Sequence, residues 1–486
     1  MLTLAALLLP PLVASLVAMA VRPYRALVGW LGVIGGAVSF AAALLLAAET
    51  LRGTGPAAPD TAALWHVDAL SALLALCITF VALLASALAP GLGAVPDNDR
   101  REVRWLRVYM GAFAFTMLLA VTVQNVALMW VAIEATTIAS ALAIPLHRTR
   151  SSVEASWKYL LVCSVGIALA FTGTILAYFD FVATAGEVPG ALNWSVLRAT
   201  APALDPALLQ MAFAFILVGY GTKAGLAPMH TWLPDAHSEA PPAISAMMSG
   251  VLLAVATYAI ARWKSVVDGA VDPAFTNALL LGFGLLSVAI GALSLVIQRH
   301  YKRMLAYSSL EHMGLVTVGL ALGPLGMFAA WLHVVNHAVA KSAAFLLAGR
   351  ILHRYQTTEI ARVSGLLRVM PWTGGLFALG VLALVGLPPF GLFVSEFLLV
   401  QAAVAGQRWW LAAALLALLL TTFVSLLSHL NRMLYGGAPQ DVRHGEGGAW
   451  PLAVLAVPAA VLVVLGVALP GVLAALIHRS VSTLLR

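Results

Sequence analysis

The sequence predicts an all-α polytopic membrane protein of about 14 transmembrane helices, with two inverted five-helix repeats that each contain a broken helix. Three observations predict this class. Hydrophobic residues make up 62% of the 486 positions, and charged residues only 10%. Apolar runs of about 20 residues, long enough to cross a bilayer, follow one another along the chain. Two of these runs are interrupted by glycine and proline beside an ionisable residue.

The chain divides into four predicted segments. Residues 1–103 hold three N-terminal helices, residues 104–263 the first repeat, residues 264–434 the second repeat, and residues 435–486 a last helix with a short tail. The first run is followed directly by another, so we interpret it as a retained helix and not as a cleaved signal peptide. In chain order the predicted helices lie at about 2–21, 26–50, 67–90, 104–123, 125–146, 154–179, 207–239, 242–263, 273–297, 303–322, 325–351, 372–404, 408–434 and 451–476.

The repeat is predicted from the two interruptions, KAGLAP at 223–228 in helix seven and GLPPFG at 386–391 in helix twelve. Paired breaks of this kind in transporters mark an ion site, because freed backbone groups there face a wet cavity. A unit of five helices also inverts its successor in the membrane. The ionisable residues recur in the same order on helices five, six and seven and then on ten, eleven and twelve: Glu134, Lys158 and Lys223, followed by Glu311, Lys341 and Glu396.

Basic residues predict the orientation. Most Lys and Arg residues fall in connections after odd-numbered helices, and the connections after even-numbered helices hold only Arg52, Arg198, Arg262, Lys264 and Arg408. Because positive charge accumulates in short cytoplasmic connections, we expect both termini on the outer side of a bacterial or archaeal cytoplasmic membrane. The net charge of +7 is explained by this orientation and does not require a nucleic-acid partner.

The cysteine pattern excludes redox chemistry within the chain. Cys77 and Cys163 both lie in apolar runs, with no CxxC motif and no cluster of thiols. Neither a disulfide framework nor an iron–sulfur centre is available, so we expect no cofactor in this chain. Any redox reaction must belong to a partner.

The isolated charges predict an ion path. Each charge at the centre of a membrane helix costs roughly 2.5–3.5 kcal/mol on insertion scales, so six of them require a functional reason. A buried lysine such as Lys223, if it lies near Glu134, changes its proton affinity when the carboxylate moves, as a proton-transfer site requires. The alternative is a static ion pair that fastens helices together.

Other ionisable residues have competing interpretations. Lys158 follows Glu154 by four residues near a helix end, so it either participates in the path or only extends to the membrane interface. His333, His337 and Lys341 are spaced to share one helical face. We favour a hydrated proton relay there over a metal or haem site, because the sequence shows no third ligand cluster beside the histidine pair.

A polar segment follows the first break. It contains His230, Asp235, His237 and Glu239, and Asp-x-His-x-Glu has the spacing of a metal site. The prolines that interrupt the segment favour a short half-helix at a proton entry or exit. We therefore expect no metal in this chain.

The motifs carry a family resemblance across predicted helices three to thirteen. The chain resembles the antiporter-like proton-pumping subunits of respiratory complex I and of group 4 membrane-bound nickel–iron hydrogenases, most closely those of the hydrogenase 4 type. The matching segments are LVGYGTKAGLAPMHTWLPDAHSEAPPAISAMMSGVLL, WVAIEATTIASALAI, SSVEASWKYLLVCSVGIALAFTGT, YSSLEHMGLVTVGL and HVVNHAVAKSAAFLLAG.

The resemblance implies roles for individual residues. Glu134 and Lys223 would form the coupled pair, and Glu396 the terminal exchanger in the second broken helix. The remaining residues would flank the first break or continue a central hydrophilic axis: His230 and His237, then His312, His337 and Lys341.

One departure from the family pattern concerns the eighth helix. The family commonly places Lys or His there, where this chain has Ala254. The bridge between the two half-channels would then use water, Tyr258 or His312, unless pumping is weakened.

The expected function is a proton-translocating subunit of a redox-driven complex such as a group 4 hydrogenase, a formate hydrogenlyase or a complex I-like enzyme. Its partners would be other antiporter-like membrane subunits and soluble redox subunits, which would hold iron–sulfur clusters and a nickel–iron centre in a hydrogenase. Two alternatives stay open: a membrane subunit of an inorganic-carbon uptake complex beside a zinc carbonic-anhydrase-like protein, and a subunit of a multisubunit sodium/proton antiporter. Lysines as central sites favour protons, because a bound cation would meet like charge.

Overall fold

The computed structural model describes residues 1–53 and 63–485. Their secondary structure is helical, and three isolated bridges are the extended pairings among them. The helices are α1 (Leu2–Ala20), α2 (Ala26–Arg52), α3 (Ala69–Leu88), α4 (Arg100–Thr122), α5 (Val126–Ala143), α6 (Arg150–Ala185), α7 (Trp194–Thr200), α8 (Pro206–Ala224), α9 (Trp232–Glu239), α10 (Pro242–Met247), α11 (Leu253–Val267), α12 (Pro273–Val296), α13 (Tyr301–Leu320), α14 (Gly323–Tyr355), α15 (Leu366–Val369), α16 (Pro371–Leu384), α17 (Gly391–Ala405), α18 (Trp409–Leu434), α19 (Trp450–Val467) and α20 (Gly471–Leu485).

The prediction of an all-α polytopic membrane protein is confirmed. Within the described ranges, 11 helical segments are long and apolar enough to cross a membrane. The long helices α13 and α14 are not among them, and they carry Glu311, His312 and Lys341 in their interiors. The count of about 14 crossings stays a prediction.

Both predicted breaks are present. α8 ends at Gly225, which has a left-handed φ of 76°, and the chain passes through Pro228 and a 3₁₀ turn at Met229–Thr231 before α9. α16 ends before Gly386, with a φ of 67°, and α17 begins only after two prolines. Glycine permits the left-handed turn, and proline has no N–H to continue a helix.

The last predicted helix, 451–476, is interrupted. α19 ends at Val467 and α20 begins at Gly471, because Pro470 lacks the N–H that would continue the first helix. Trp450 at the start of α19 donates to the Ala87 carbonyl at the end of α3, whereas Arg479 in α20 donates to the Leu51 carbonyl at the end of α2. Since α2 and α3 are antiparallel neighbours, these carbonyls lie on opposite faces. α19 and α20 together cross the bundle once.

The expectation that Arg262 and Lys264 lie in a loop is wrong. Both are in α11, with exposures of 1% and 4%. Arg262 pairs with Asp68 at 2.6 Å and lies over the Trp194 ring at 4.3 Å, while Lys264 pairs with Asp268. These partners neutralise the charges, so the helix stays inside the fold where the sequence pattern alone indicates a membrane boundary.

The interior consists of helices that carry the ionisable residues. α14 packs against α13, α16, α17 and α10, and nearly all its residues from 326 to 348 are buried. α10 and α11 are joined by a π-helical turn at Met248–Leu252 and are buried throughout. The fold therefore places charged and polar side chains of α8, α13 and α14 along the centre of an apolar bundle.

Candidate functional site

Lys223 is the buried cation of the first half of the site, the predicted repeat at residues 104–263. It lies at the end of α8 with no exposed surface, because the break after Ala224 stops the helix inside the bundle. Its Nζ donates to Thr137 Oγ1 at 2.7 Å and to Tyr159 Oη at 2.6 Å. In the part of the chain that the structure describes, no carboxylate lies within ion-pair distance of this amine. Neutral hydroxyls from α5 and α6 therefore hold Lys223.

Glu134 reaches the same group of residues from α5. It is half-buried, and its carboxylate accepts from Ser164 Oγ at 2.8 Å and from Thr137 Oγ1 at 3.1 Å. Thr137 thus accepts from Lys223 and donates to Glu134. The structure brings the predicted pair together through one hydroxyl and not through a direct ion pair.

Lys158 lies at a cavity mouth. Its side chain is 51% exposed, and its Nζ lies 2.7 Å from Glu154 and 3.4 Å from Asp235. Asp235 also contacts Arg303 Nη1 at 2.9 Å. These side chains line a cavity of about 530 Å³ between α6, α9 and α13. The next residue along α6, Tyr159, accepts a hydrogen bond from Lys223.

The polar segment after the first break forms the expected half-helix, α9. His237 is fully buried between the rings of Trp232 and Phe345, and neither of its ring nitrogens has a partner among the described residues. His230 is half-buried in the preceding 3₁₀ turn. Glu239 lines the same cavity as Asp235 and accepts from Ser151 Oγ at 2.9 Å. Asp235 and Glu239 therefore lie at this cavity, whereas His237 is buried between aromatic rings.

Lys341 is the buried cation of the second half. It lies in the middle of α14 with no exposed surface. Its Nζ donates to the Leu305 carbonyl at 2.8 Å and to Ser308 Oγ, both on α13. As at Lys223, its hydrogen-bond partners within the described residues are neutral.

A pair of serines joins the two halves. Ser249, in the π-helical turn, and Ser309, next to Ser308, share a hydrogen bond of 2.7 Å between their hydroxyls. Ala254 is 2% exposed and packed in the apolar core. Tyr258 turns away, to Ser71 Oγ and the Val121 carbonyl, both at 3.3 Å.

The histidines form a chain towards the second break. His312 Nδ1 lies 3.0 Å from His333 Nε2, and His333 Nδ1 lies 2.9 Å from Ser395 Oγ on α17. The His337 ring packs at 5.3 Å from that of His312. Glu396 is 7% exposed, and one ligand atom from each of His312, His333 and Glu396 lies within 4.8 Å of the others. The predicted pair of His333 and His337 does not form this group. Among the described residues, His333 joins it with His312 of α13 and Glu396 of α17 instead.

Many buried polar atoms in this row of histidines and its surroundings have no hydrogen-bond partner among the described residues. Both oxygens of Glu311, Nε2 of His312 and both nitrogens of His337 have none among the described residues. Buried polar groups are normally satisfied by protein or by ordered water, and a polar interior of this kind binds water. The site is therefore suited to carrying protons between titratable groups.

Sequence reasoning missed the hydroxyls and Arg303. Thr137, Tyr159, Ser249 and Ser309 make the contacts that link the charged residues, yet serine, threonine and tyrosine occur throughout membrane helices. Their helical positions beside Glu134 and Lys158 were the one available signal. Only the packing of separate helices shows which hydroxyl meets which amine.

Comparisons with known proteins identify the family and the fold. A family model described as NADH:quinone oxidoreductase/Mrp antiporter, TM, matches residues 123–421. Over 336 residues the chain is 43% identical to a hydrogenase-4 component F homolog of Methylacidiphilum infernorum, which is 69% of this chain and 70% of that protein. A chain of an archaeal membrane-bound sulfane sulfur reductase superposes with a TM-score of 0.88 and 24% identity, covering 99% of this chain and 98% of that one. A chain of Thermus thermophilus respiratory complex I superposes with a TM-score of 0.83 and 25% identity over the full length of both.

Proposed function

Because the chain belongs to the transmembrane family of NADH:quinone oxidoreductase and Mrp antiporter subunits, we propose that it translocates protons as the membrane subunit of a redox-driven complex. The observation that carries this proposal is the link from Glu134 through Thr137 to the buried amine of Lys223. A second buried lysine, Lys341, occupies the other half with the same neutral coordination.

The coordination of Lys223 supports proton transfer. An amine held only by hydroxyls has no carboxylate that fixes its charge, so its protonation state responds to small changes in its surroundings. Displacement of the Glu134 carboxylate from Thr137 changes the field at the amine. Tyr159 Oη and Ser140 Oγ, 2.8 Å apart, extend the hydrogen-bonded chain away from Lys223.

The proposed path begins at the cavity that Lys158, Asp235 and Arg303 line, and it passes His230 and His237 on its way to the interior. It continues from Lys223 across the Ser249–Ser309 contact to Lys341. From there it runs through the second half to the break between α16 and α17: His337, His312, Glu311, His333 and Glu396.

We place both termini on the outer side of a bacterial or archaeal cytoplasmic membrane, which orients the Lys158 cavity towards the cytoplasm. Even without Arg262 and Lys264, which are not loop residues, positive charge concentrates in connections that include Arg148 and Arg362.

We assign the redox reaction to partner subunits. The likeness to a hydrogenase-4 component F homolog favours a hydrogenase-type complex, in which iron–sulfur clusters and a nickel–iron centre belong to the partners and this chain holds no cofactor. The family description also includes Mrp antiporters, so sodium/proton exchange is the second candidate.

Reconstitution of the purified complex into liposomes tests the function. With its electron donor and acceptor supplied, we expect acidification of the lumen that a protonophore abolishes and that persists without sodium. Turnover without any pH change would overturn the proposal, and a strict sodium requirement would favour the antiporter alternative.

A further inference from the structure

Three side chains converge beside the second break with the chemistry of a transition-metal site. The closest approach among them is 3.0 Å, between His312 Nδ1 and His333 Nε2, and the Glu396 ligand atom lies within 4.8 Å of the histidine atoms. Zinc binds imidazole nitrogen and carboxylate oxygen at about 2.0–2.2 Å, so neighbouring ligands of one ion lie roughly 3.3 Å apart. Small rotations of these side chains would bring them to that spacing.

The surrounding protein buries these three side chains and orients one of the histidine rings. Both histidines are completely buried, and Glu396 is 7% exposed with no hydrogen-bond donor to its carboxylate among the described residues. Ser395 Oγ, 2.9 Å from His333 Nδ1, holds that ring with Nε2 turned towards His312. Such outer contacts orient metal-binding histidines in proteins.

The charge of the surroundings favours a divalent cation. Glu311, also buried, lies 3.7 Å from His312 Nδ1, and both its oxygens lack a hydrogen-bond partner in the described residues. Glu311 and Glu396 supply two negative charges against the two positive charges of a divalent ion, in an interior where net charge is costly. The buried amine of Lys341, two turns along α14 from His333, is the one basic side chain that opposes them among the described residues around the site. Sodium and magnesium prefer oxygen ligands, whereas imidazole nitrogen suits zinc and its neighbours in the periodic table.

We propose that His312, His333 and Glu396 form a binding site for a divalent transition-metal cation, with zinc as the probe, and that the bound ion blocks proton movement through the second half. A metal ion needs a lone pair on both His312 Nδ1 and His333 Nε2, whereas the hydrogen bond between them uses one N–H. The proton of that N–H would move to the other nitrogen of its ring, and the hydrogen-bonded chain would be interrupted at that contact. The block rests on the proposed function, but the binding does not.

Zinc binding is measured on the purified complex after stripping with a chelator, reloading with Zn²⁺ and removing free metal. We expect wild type to hold about one zinc more per complex than His333→Asn or Glu396→Gln, and the affinity of those variants for that ion to fall at least tenfold. X-ray absorption at the zinc edge should show two imidazole ligands and a carboxylate in the ion that the variants lose.

Two variants serve as controls. His429→Asn removes a histidine that is 5% exposed in α18 and contacts only the Leu295 carbonyl among the described residues, so zinc content should equal that of wild type. His337→Asn removes a neighbour of the site that is not one of the three ligands, and it should also retain zinc. If His333→Asn fails to assemble, the zinc content of Glu396→Gln and the X-ray absorption spectrum of wild type test the proposal without it.

The outcomes separate the two proposals. Equal zinc content in wild type and in both ligand variants would overturn the metal site and leave the translocation proposal unaffected. Zinc that binds with the expected ligands but does not slow proton translocation would keep the site and overturn the block, together with the route of the proton path through His333.

Discussion

Glu134 and Lys223 are joined by the single hydroxyl of Thr137, which donates to the Glu134 carboxylate at 3.1 Å and accepts from the Lys223 amine at 2.7 Å. A direct ion pair would hold both charges in place, because separating a buried pair is costly. An intervening hydroxyl transmits the position of the carboxylate to the amine and leaves the amine free to lose its proton.

Replacing Thr137 by valine should impair translocation. The change preserves the shape of the side chain and removes the hydroxyl, so we expect the rate of proton translocation to fall roughly tenfold, which corresponds to about 1.4 kcal/mol. Thr137→Ser should retain most of the rate. The measurement is lumen acidification by the reconstituted complex, normalised to the amount of assembled complex.

Thr136→Val is the matched control. Thr136 is equally buried on the same helix, but among the described residues its hydroxyl bonds only to the Ile133 carbonyl one turn back. Equal losses for the two valine variants would assign the effect to packing in α5 and not to the link between Glu134 and Lys223.

Lys223→Met and Glu134→Gln should each abolish translocation and leave assembly largely intact. Methionine fills the volume of the lysine, and the hydroxyls it leaves have other partners: Thr137 with Glu134, and Tyr159 with Ser140. Complex yield and lumen acidification decide the matter. Normal pumping by both variants would return these residues to a purely structural role.

Ala254→Lys should lower the yield of assembled complex. Ala254 is 2% exposed in the apolar core, so a charge introduced there costs roughly 2.5–3.5 kcal/mol. Ala254→Ser adds little volume and should assemble normally. A well-assembled lysine variant with improved pumping would show instead that water already fills this region.

Ser249→Ala combined with Ser309→Ala should slow translocation, with assembly retained, because the pair makes a buried polar contact between the two predicted repeats, next to the Lys341 partner Ser308. The measurement is the rate of proton translocation by membranes that contain the double variant, compared with the yield of assembled complex in them. Unchanged translocation would exclude this contact from the path.

Arg262→Met should lower the free energy of unfolding by about 3–5 kcal/mol, because it leaves Asp68 without its cation. Burial raises the pKa of Asp68, but the charge and hydrogen bond of Arg262 outweigh burial and lower that pKa to about 2. A lowered carboxylate pKa adds stability above the unfolded value, and the gain disappears as the pH falls through the folded one. In Arg262→Met the burial of Asp68 acts without that cation and raises the pKa of Asp68. The loss should therefore be largest near neutral pH and should shrink as the pH falls and the carboxylate is protonated.

The double variant Asp68→Asn with Arg262→Met should recover much of the stability, since it leaves no unpaired charge. Thermal unfolding of the purified complex provides the measurement. A double variant as unstable as Arg262→Met would indicate that the contacts of Arg262 with Trp194 and Tyr258, and not its charge, stabilise the bundle.

The architecture could be predicted in large part because bilayer thickness is encoded directly in the length of apolar runs. The breaks at Gly225 and Gly386 were also predictable, since glycine and proline act through their own backbone geometry. The burial of Arg262 was not, because it depends on Asp68, 194 residues away in sequence. A basic residue near the end of an apolar run indicates a membrane boundary only when the folded bundle offers it no buried acidic partner.

The site follows the same division. A charge in an apolar run has a high free-energy cost in a membrane, so Lys223, Lys341 and Glu396 could be selected as candidates from the sequence. Thr137 and Ser249 carry no such signal, because a hydroxyl in a membrane helix is satisfied by its own backbone unless packing provides another partner. Tertiary packing alone brings His333 to Glu396.

Gly386 forms the turn of the second break against Glu396, and any Cβ at this position would meet the Glu396 carboxylate. Its φ of 67° independently disfavours other residues. Substitutions at this codon should therefore impair function: a side chain would strain the turn and also push the carboxylate out of place. In a library that samples every amino acid here, functional clones should encode glycine, whereas the neighbouring Leu387 has no such double constraint. Laboratory evolution of this chain should therefore change this position rarely.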